Sequence, residues 1–198
     1  MRAESHEWNG RLTSFMPGGG VSIKFSLVNR LRADTITPSK ARLLARYWTW
    51  LSHRRTSNLT FAARRLGYAN ERVRLEDQLL DTMIAAESLY LGGDKEAELS
   101  FRLSTHAAVW VEPARLGATR REIYDFMRNA YEARSRIAHG SEPRPSKLKF
   151  KGNEISLEEF CKVLNEIVRT GLVKAIDYTE QNSMSTFKPD WDGMILDE

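Results

Sequence analysis

Apolar residues along this chain recur mainly at helical spacing. Between Arg120 and Ala138 they fall at Ile123, Phe126, Met127, Ala130, Tyr131, Ile137 and Ala138, the i, i+3, i+4 pattern of a helix with one buried stripe. The stripe lacks one member, eleven residues after Ile123, and that position is Arg134. A guanidinium among apolar groups is costly unless it is paired, so Arg134 needs a partner or lines a site. His139 follows five residues later, and Gly140 suits the position just past a helix C-terminus. On an uninterrupted helix those five residues would place His139 about 140° around from Arg134. A turn at Gly140 would let the imidazole swing back.

The rest of the chain divides by the same criterion. Thr37-Pro38 starts a helix, with Thr as N-cap, that runs to about His53 through Leu43, Leu44, Tyr47, Trp48 and Leu51. A second helix covers roughly Leu59 to Leu66, with Arg64 and Arg65 near its end, and can continue past Gly67. A third spans about Glu71 to Leu91. Val73, Leu80, Ile84 and Leu91 form its stripe, widened by Leu75, Leu79, Met83 and Ala86, and Asp77 and Glu87 fall on it too. Glu87 is thus a carboxylate in an apolar seam, and the simplest partner for Arg134. Asp77 is the second candidate. A helix from about Lys95 to Val111 turns Leu99, Leu103, Ala107 and Trp110 inward and stops at Pro113. Residues 147–156 read as a small hairpin around Lys151-Gly152-Asn153. Ser156 caps a final helix, with Glu159 at the capping-box position, that continues through Phe160, Leu164, Ile167, Leu172 and Ile176.

The expected architecture is therefore mainly α: a helical domain over 37–180, preceded by an extension at 1–36 and followed by a loose tail at 181–198 in which Phe187 and Trp191 can dock. In the extension, Val21, Ile23, Phe25 and Leu27 alternate with polar residues as in a half-buried strand, which needs a partner elsewhere. The extension reads as the remnant of a larger region.

The 198 residues, 41% hydrophobic and 28% charged, suffice for one domain with a real core. No apolar run approaches the roughly 18 residues of a membrane span, and the N-terminus lacks the plan of a secretory signal, so a cytoplasmic protein without membrane contact is expected. A single Cys161 and four His argue against a disulfide or a Cys/His zinc site, and no metal or cofactor is expected. Gly18-Gly19-Gly20 lacks the Lys and Ser/Thr of a phosphate loop. The net charge of +4 hides a split: residues 1–74 carry +10 and residues 75–198 carry −6. Arg outnumbers Lys by 21 to 9, which suits phosphate contact. Equally, the basic front half can pack on the acidic back half or on a second subunit. Trp48 and Trp50, among Arg46, Arg54 and Arg55, fit base stacking or a helix core, and His106 reads as a core-edge histidine.

Several segments carry a resemblance: Phe61-Ala62-Ala63-Arg64-Arg65, Leu75-Glu76-Asp77-Gln78-Leu79-Leu80-Asp81, Ile84-Ala85-Ala86-Glu87-Ser88-Leu89, Glu98-Leu99-Ser100-Phe101-Arg102-Leu103-Ser104 and Tyr131-Glu132-Ala133-Arg134-Ser135-Arg136-Ile137-Ala138-His139-Gly140. In this order they resemble the HEPN superfamily, and within it the Apea-like HEPN family, over about residues 59–178. The resemblance implies a bundle of four to five helices, often dimeric, in which two Arg-x(4–6)-His motifs meet across a symmetric interface and cut RNA without metal. It makes Arg134 and His139 the catalytic pair. Glu87, Asp77 and Ser135 would support them, Ser135 standing where active members often carry Asn, Asp or His. Arg64, Arg65 and Arg136 are the expected nucleic-acid contacts. RNA and a second copy of the chain are the implied partners, and bacterial stress or anti-phage defence the implied setting.

The bare motif is weak evidence, since about one match is expected by chance in a chain with this many Arg and His. Arg46 and His53 also match, inside a helix without a Gly break, and read as coincidence. The alternative to cleavage is a non-catalytic module for dimerisation and for RNA or partner binding, with Arg134–Glu87 a structural tie and His139 at a helix end.

Overall fold

The computed structural model describes residues 37–53, 58–92 and 98–196. Its helices are α1 (Pro38–His53), α2 (Asn58–Glu71), α3 (Leu75–Tyr90), α4 (Leu99–Trp110), α5 (Pro113–Leu116), α6 (Arg120–Ala138), α7 (Leu157–Gln181) and α8 (Trp191–Leu196). A 3-10 turn at Pro145–Lys147 precedes two short strands, β1 (Lys149–Phe150) and β2 (Asn153–Glu154). The expected helical bundle is what forms. The strand expected at 21–28 and the helix start expected near Lys95 lie outside the described residues.

The bundle is built around α3. Leu79, Met83, Ala85, Ala86, Leu89 and Tyr90 are inaccessible or nearly so. A helix apolar on most sides must be central, because no face remains for water. Helix α2 runs antiparallel to it: the Ser88 hydroxyl donates to the Asn58 carbonyl at 2.9 Å near one end, and Arg65 meets Asp81 further along. Helix α7 runs parallel to it. The Cys161 thiol lies 3.5 Å from the Leu75 carbonyl, and Gly171 lies against Tyr90. On α4, His106 Nδ1 bonds the Tyr90 carbonyl at 2.7 Å, and Trp110 Nε1 donates to the Gly171 carbonyl at 2.9 Å. Burying each large apolar side chain contributes about 1.5–3 kcal/mol, so this shared seam dominates stability.

Several expectations need correction. Helix α2 passes straight through Gly67 to Glu71, and α3 starts only at Leu75. Val73 is 94% exposed, and Asp77 is exposed as well. The buried stripe of α3 is Leu79, Met83, Ala86 and Tyr90, shifted around the helix from the one the sequence favours. On α1 the buried residue is Trp50, while Leu43, Leu44 and Trp48 face outward. Pro113 does not simply stop a helix but opens the one-turn α5. Described residues 182–196 are not a loose tail. Phe187 is buried, and it and Trp191 pack edge-on against Trp110, with Trp191 stacked on His106 at 4.3 Å. Four aromatic side chains offset the cost of ordering this segment.

Part of the charge split is resolved within the chain. Arg46 pairs with Asp177, at 3.0 Å, and with Glu180, joining basic α1 to the acidic end of α7. His53 bonds the Thr49 carbonyl one turn back. Arg46 thus ties α1 to α7 while His53 serves its own helix end, and the two residues are engaged separately. Among the described residues, no helix is long and apolar enough to cross a membrane.

Candidate functional site

Helix α6 carries the site, and its two ends are fixed by local chemistry. At the start, the Thr119 hydroxyl accepts from the Glu122 backbone N–H at 3.2 Å, and Glu122 accepts from the Thr119 N–H at 2.8 Å. This capping box satisfies two otherwise orphaned donors. The backbone and then the side-chain bonds from Thr119 hold the Glu122 carboxyl below its usual range. At the other end the Ser141 N–H bonds the Arg136 carbonyl at 2.8 Å and the Gly140 N–H bonds the Ile137 carbonyl at 2.9 Å. That is the Schellman pattern, and Gly140, at φ +74°, takes the left-handed residue it requires.

The stripe buries Ile123, Phe126, Met127, Ala130 and Ala133. Past Ala133 it leaves the core, so Ile137 is only half-buried and Ala138 is exposed. Arg134 consequently sits at the edge of the seam and not within it. Its side chain is 31% exposed, and it meets Glu87 of α3, which is 26% exposed. Nε lies 3.3 Å from Glu87 Oε1, and Nη2 donates to Oε2 at 3.4 Å. The expected partnership forms as a two-point contact. Burial raises the Glu87 carboxyl above its ordinary range, and the Arg134 charge opposes that rise without cancelling it.

His139 is the C-cap of α6, and its backbone N–H bonds the carbonyls of Ser135 and Arg136. Its side chain is exposed, and among the described residues it makes no hydrogen bond or ion pair. Arg136 is held beside it, Nε donating to the Glu142 carbonyl at 2.7 Å. Ser135 is half-buried on the turn between Arg134 and His139.

The other expected site residues lie elsewhere. Asp77, exposed and ten residues before Glu87 on α3, is about 15 Å from it along the helix axis and does not pair with Arg134. Arg65 is a structural cation: Nη1 lies 3.0 Å from buried Asp81, which also holds Arg72 at 2.6 Å. Arg64 and Arg65 both lie over the Phe61 ring, at 5.4 and 5.2 Å. Asp81 is the carboxylate that sequence reasoning missed. Its only signal was an acidic residue facing an Arg-rich helix in an antiparallel pair. Among the described residues, no cluster of three or more His, Cys, Asp or Glu could hold a metal ion. Burial pushes the Cys161 thiol up to about 12, far from a reactive thiolate.

No family model, curated protein or solved structure matches this chain.

Proposed function

We propose that the protein is a HEPN-type, metal-independent endoribonuclease that acts as a homodimer. One observation carries this: a guanidinium clamped by Glu87 lies on the helix whose glycine-terminated end presents His139 to solvent about one turn later.

The residues have the chemistry the reaction needs. RNA supplies its own nucleophile, the 2′-OH. An imidazole takes that proton as the 2′-O–P bond forms and the P–O5′ bond breaks, and a second imidazole returns a proton to the departing 5′-oxygen. The products are a 2′,3′-cyclic phosphate and a 5′-OH. Two imidazoles require two copies of His139, which is the role of the dimer. Glu87 accepts a hydrogen bond from Arg134 Nη2 and lies 3.3 Å from Nε, and the remaining N–H groups of the guanidinium are left to hold the phosphate oxygens as charge builds on them. Glu87 is a positioning residue here, and Arg136 adds a cation beside His139.

The test is incubation of purified protein with varied RNAs in EDTA. Cleavage leaving cyclic-phosphate ends, abolished by His139→Ala in a folded protein, is the expected result. In the dimer, the two His139 side chains should lie within about 10 Å of each other, close enough to share one phosphodiester. RNA left intact by the wild type, or His139 pairs facing apart, would favour the non-catalytic dimerisation and binding module.

A further inference from the structure

Helix α6 presents a second feature on its outer face. Arg121, Tyr124, Arg128, Tyr131 and Ser135 recur at alternating spacings of three and four, so they share one side of the helix over about 21 Å. The row ends beside Arg134 and His139. Arg121 and Arg128 both lie over the Tyr124 ring, with Cζ at 5.6 and 5.8 Å from its centroid. Phe101 of α4 meets Tyr124 edge-on at 6.3 Å and is itself 53% exposed. Tyr124 and Tyr131 are half-buried, rooted in the bundle with part of each ring open, and Arg128 is exposed. Arg121 is held by Asp125 at the edge of the row, whereas Arg128 makes no ion pair among the described residues. Asp125 and Glu132 border the row, but both are paired, Asp125 with Arg121 and Glu132 with Arg144 at 3.3 Å and Lys147 at 3.8 Å.

We propose that this row is a track for single-stranded RNA leading into the Arg134–His139 site. The proposal rests on the ribonuclease reading and names its substrate class. Aromatic rings alternating with guanidinium groups are the elements single-strand binding uses: rings and guanidinium planes stack bases, and cations follow the phosphates. A duplex hides its base faces and could use only the cations. An acidic protein surface would find the cations but would make no use of the exposed ring surface of Phe101 or of the open parts of Tyr124 and Tyr131.

The test uses His139→Ala protein, so that RNA stays intact, with a fluorescein-labelled single-stranded 12-nucleotide RNA and its blunt duplex, read by fluorescence anisotropy. The single strand should bind more tightly than the duplex. Adding Tyr124→Leu or Arg128→Ala should weaken single-strand binding about tenfold, the scale of one stacked base. Arg128→Ala should also reduce the slope of log affinity against log salt by about 0.7. Equal affinities for both variants and their parent, or a duplex bound as tightly as the strand, would overturn the track. So would an Arg128→Ala variant that dissociates a dimer in sedimentation, because the row would then be a contact between copies. Binding is read apart from cleavage. A wild type that binds this way but cuts nothing keeps the track and rejects the ribonuclease. A ribonuclease whose RNA affinity is indifferent to Arg128→Ala and Tyr124→Leu keeps cleavage and rejects the track.

Discussion

Arg134 of α6 and Glu87 of α3 meet at 3.3 Å, both only partly shielded from water. The pair ties two helices of the bundle, yet enough of the guanidinium remains open to receive a phosphate. Partial exposure screens the attraction, so its value for stability is small and its value for orientation is greater.

Burial raises the Glu87 carboxyl and Arg134 opposes it, so Arg134→Ala should raise the Glu87 pKa further. Carbon-13 NMR titration of the Glu side chains would measure this, and an unchanged value would show the two to be uncoupled. The sign for stability follows. The folded protein binds this proton more tightly than the unfolded chain, so the group's contribution falls as pH rises from the ordinary glutamate range through the raised folded value. Arg134→Ala should deepen that loss in denaturation experiments at about pH 4 and about pH 7.

His139→Ala should reduce cleavage at least about 100-fold. Its side chain is exposed and without partners among the described residues, so stability should change by no more than about 0.5 kcal/mol. Gly140→Ala keeps the imidazole but puts a Cβ on a residue at φ +74°, costing about 1 kcal/mol and shifting the helix end. Cleavage should fall in that variant too. Full activity in Gly140→Ala would show that the cap does not position His139.

A Cβ added at Gly171 would overlap the Tyr90 hydroxyl, which is buried and has no hydrogen-bond partner among the described residues. Gly171→Ala should therefore cost about 1–3 kcal/mol. Tyr90→Phe removes an unsatisfied buried hydroxyl and should be neutral or stabilising by about 1 kcal/mol. It should also relieve part of the Gly171→Ala defect. Thermal melts of the two single variants and the double variant decide this, and strict additivity would mean the hydroxyl is not the obstacle.

Asp81 is buried between Arg65 and Arg72, and both guanidinium groups are partly exposed. Asp81→Ala should cost about 1–3 kcal/mol, below the figure for a fully buried pair. Arg65→Ala should lower the melting temperature, whereas Arg64→Ala should leave it unchanged. Equal melting temperatures for the two Arg variants would mean Asp81 does not depend on Arg65.

Local chemistry made much of this legible. The span of α6, its Gly140 stop, the Ser156 cap of α7 and the hairpin at 147–156 all rest on interactions within a few residues. The Lys151-Gly152 turn, with φ of +52° and +78°, needs only its own two residues to be compatible with a tight hairpin. The partnership of Arg134 with Glu87 was legible for another reason, since two charges stranded beside apolar stripes are best satisfied by each other.

What only the tertiary structure decided was which way each helix faces. On α3 nearly every position in the C-terminal half is buried, so periodicity could not select a face: the inferred stripe centred on Leu80 and Ile84, which are only half-buried, and left Leu79, Met83 and Ala86, the buried centre, at its margin. On α1, Trp48 and Trp50 are equally apolar, and only the packed structure shows that Trp50 is the one turned inward, on a helix tied to α7 through Arg46 and Asp177. The employment of Arg65 by Asp81, and the docking of Phe187 and Trp191 on Trp110, join residues far apart in the chain. The sequence by itself determined the helices, their ends and the odd charges. Packing decided the rest, because burial is a property of neighbours and not of a residue.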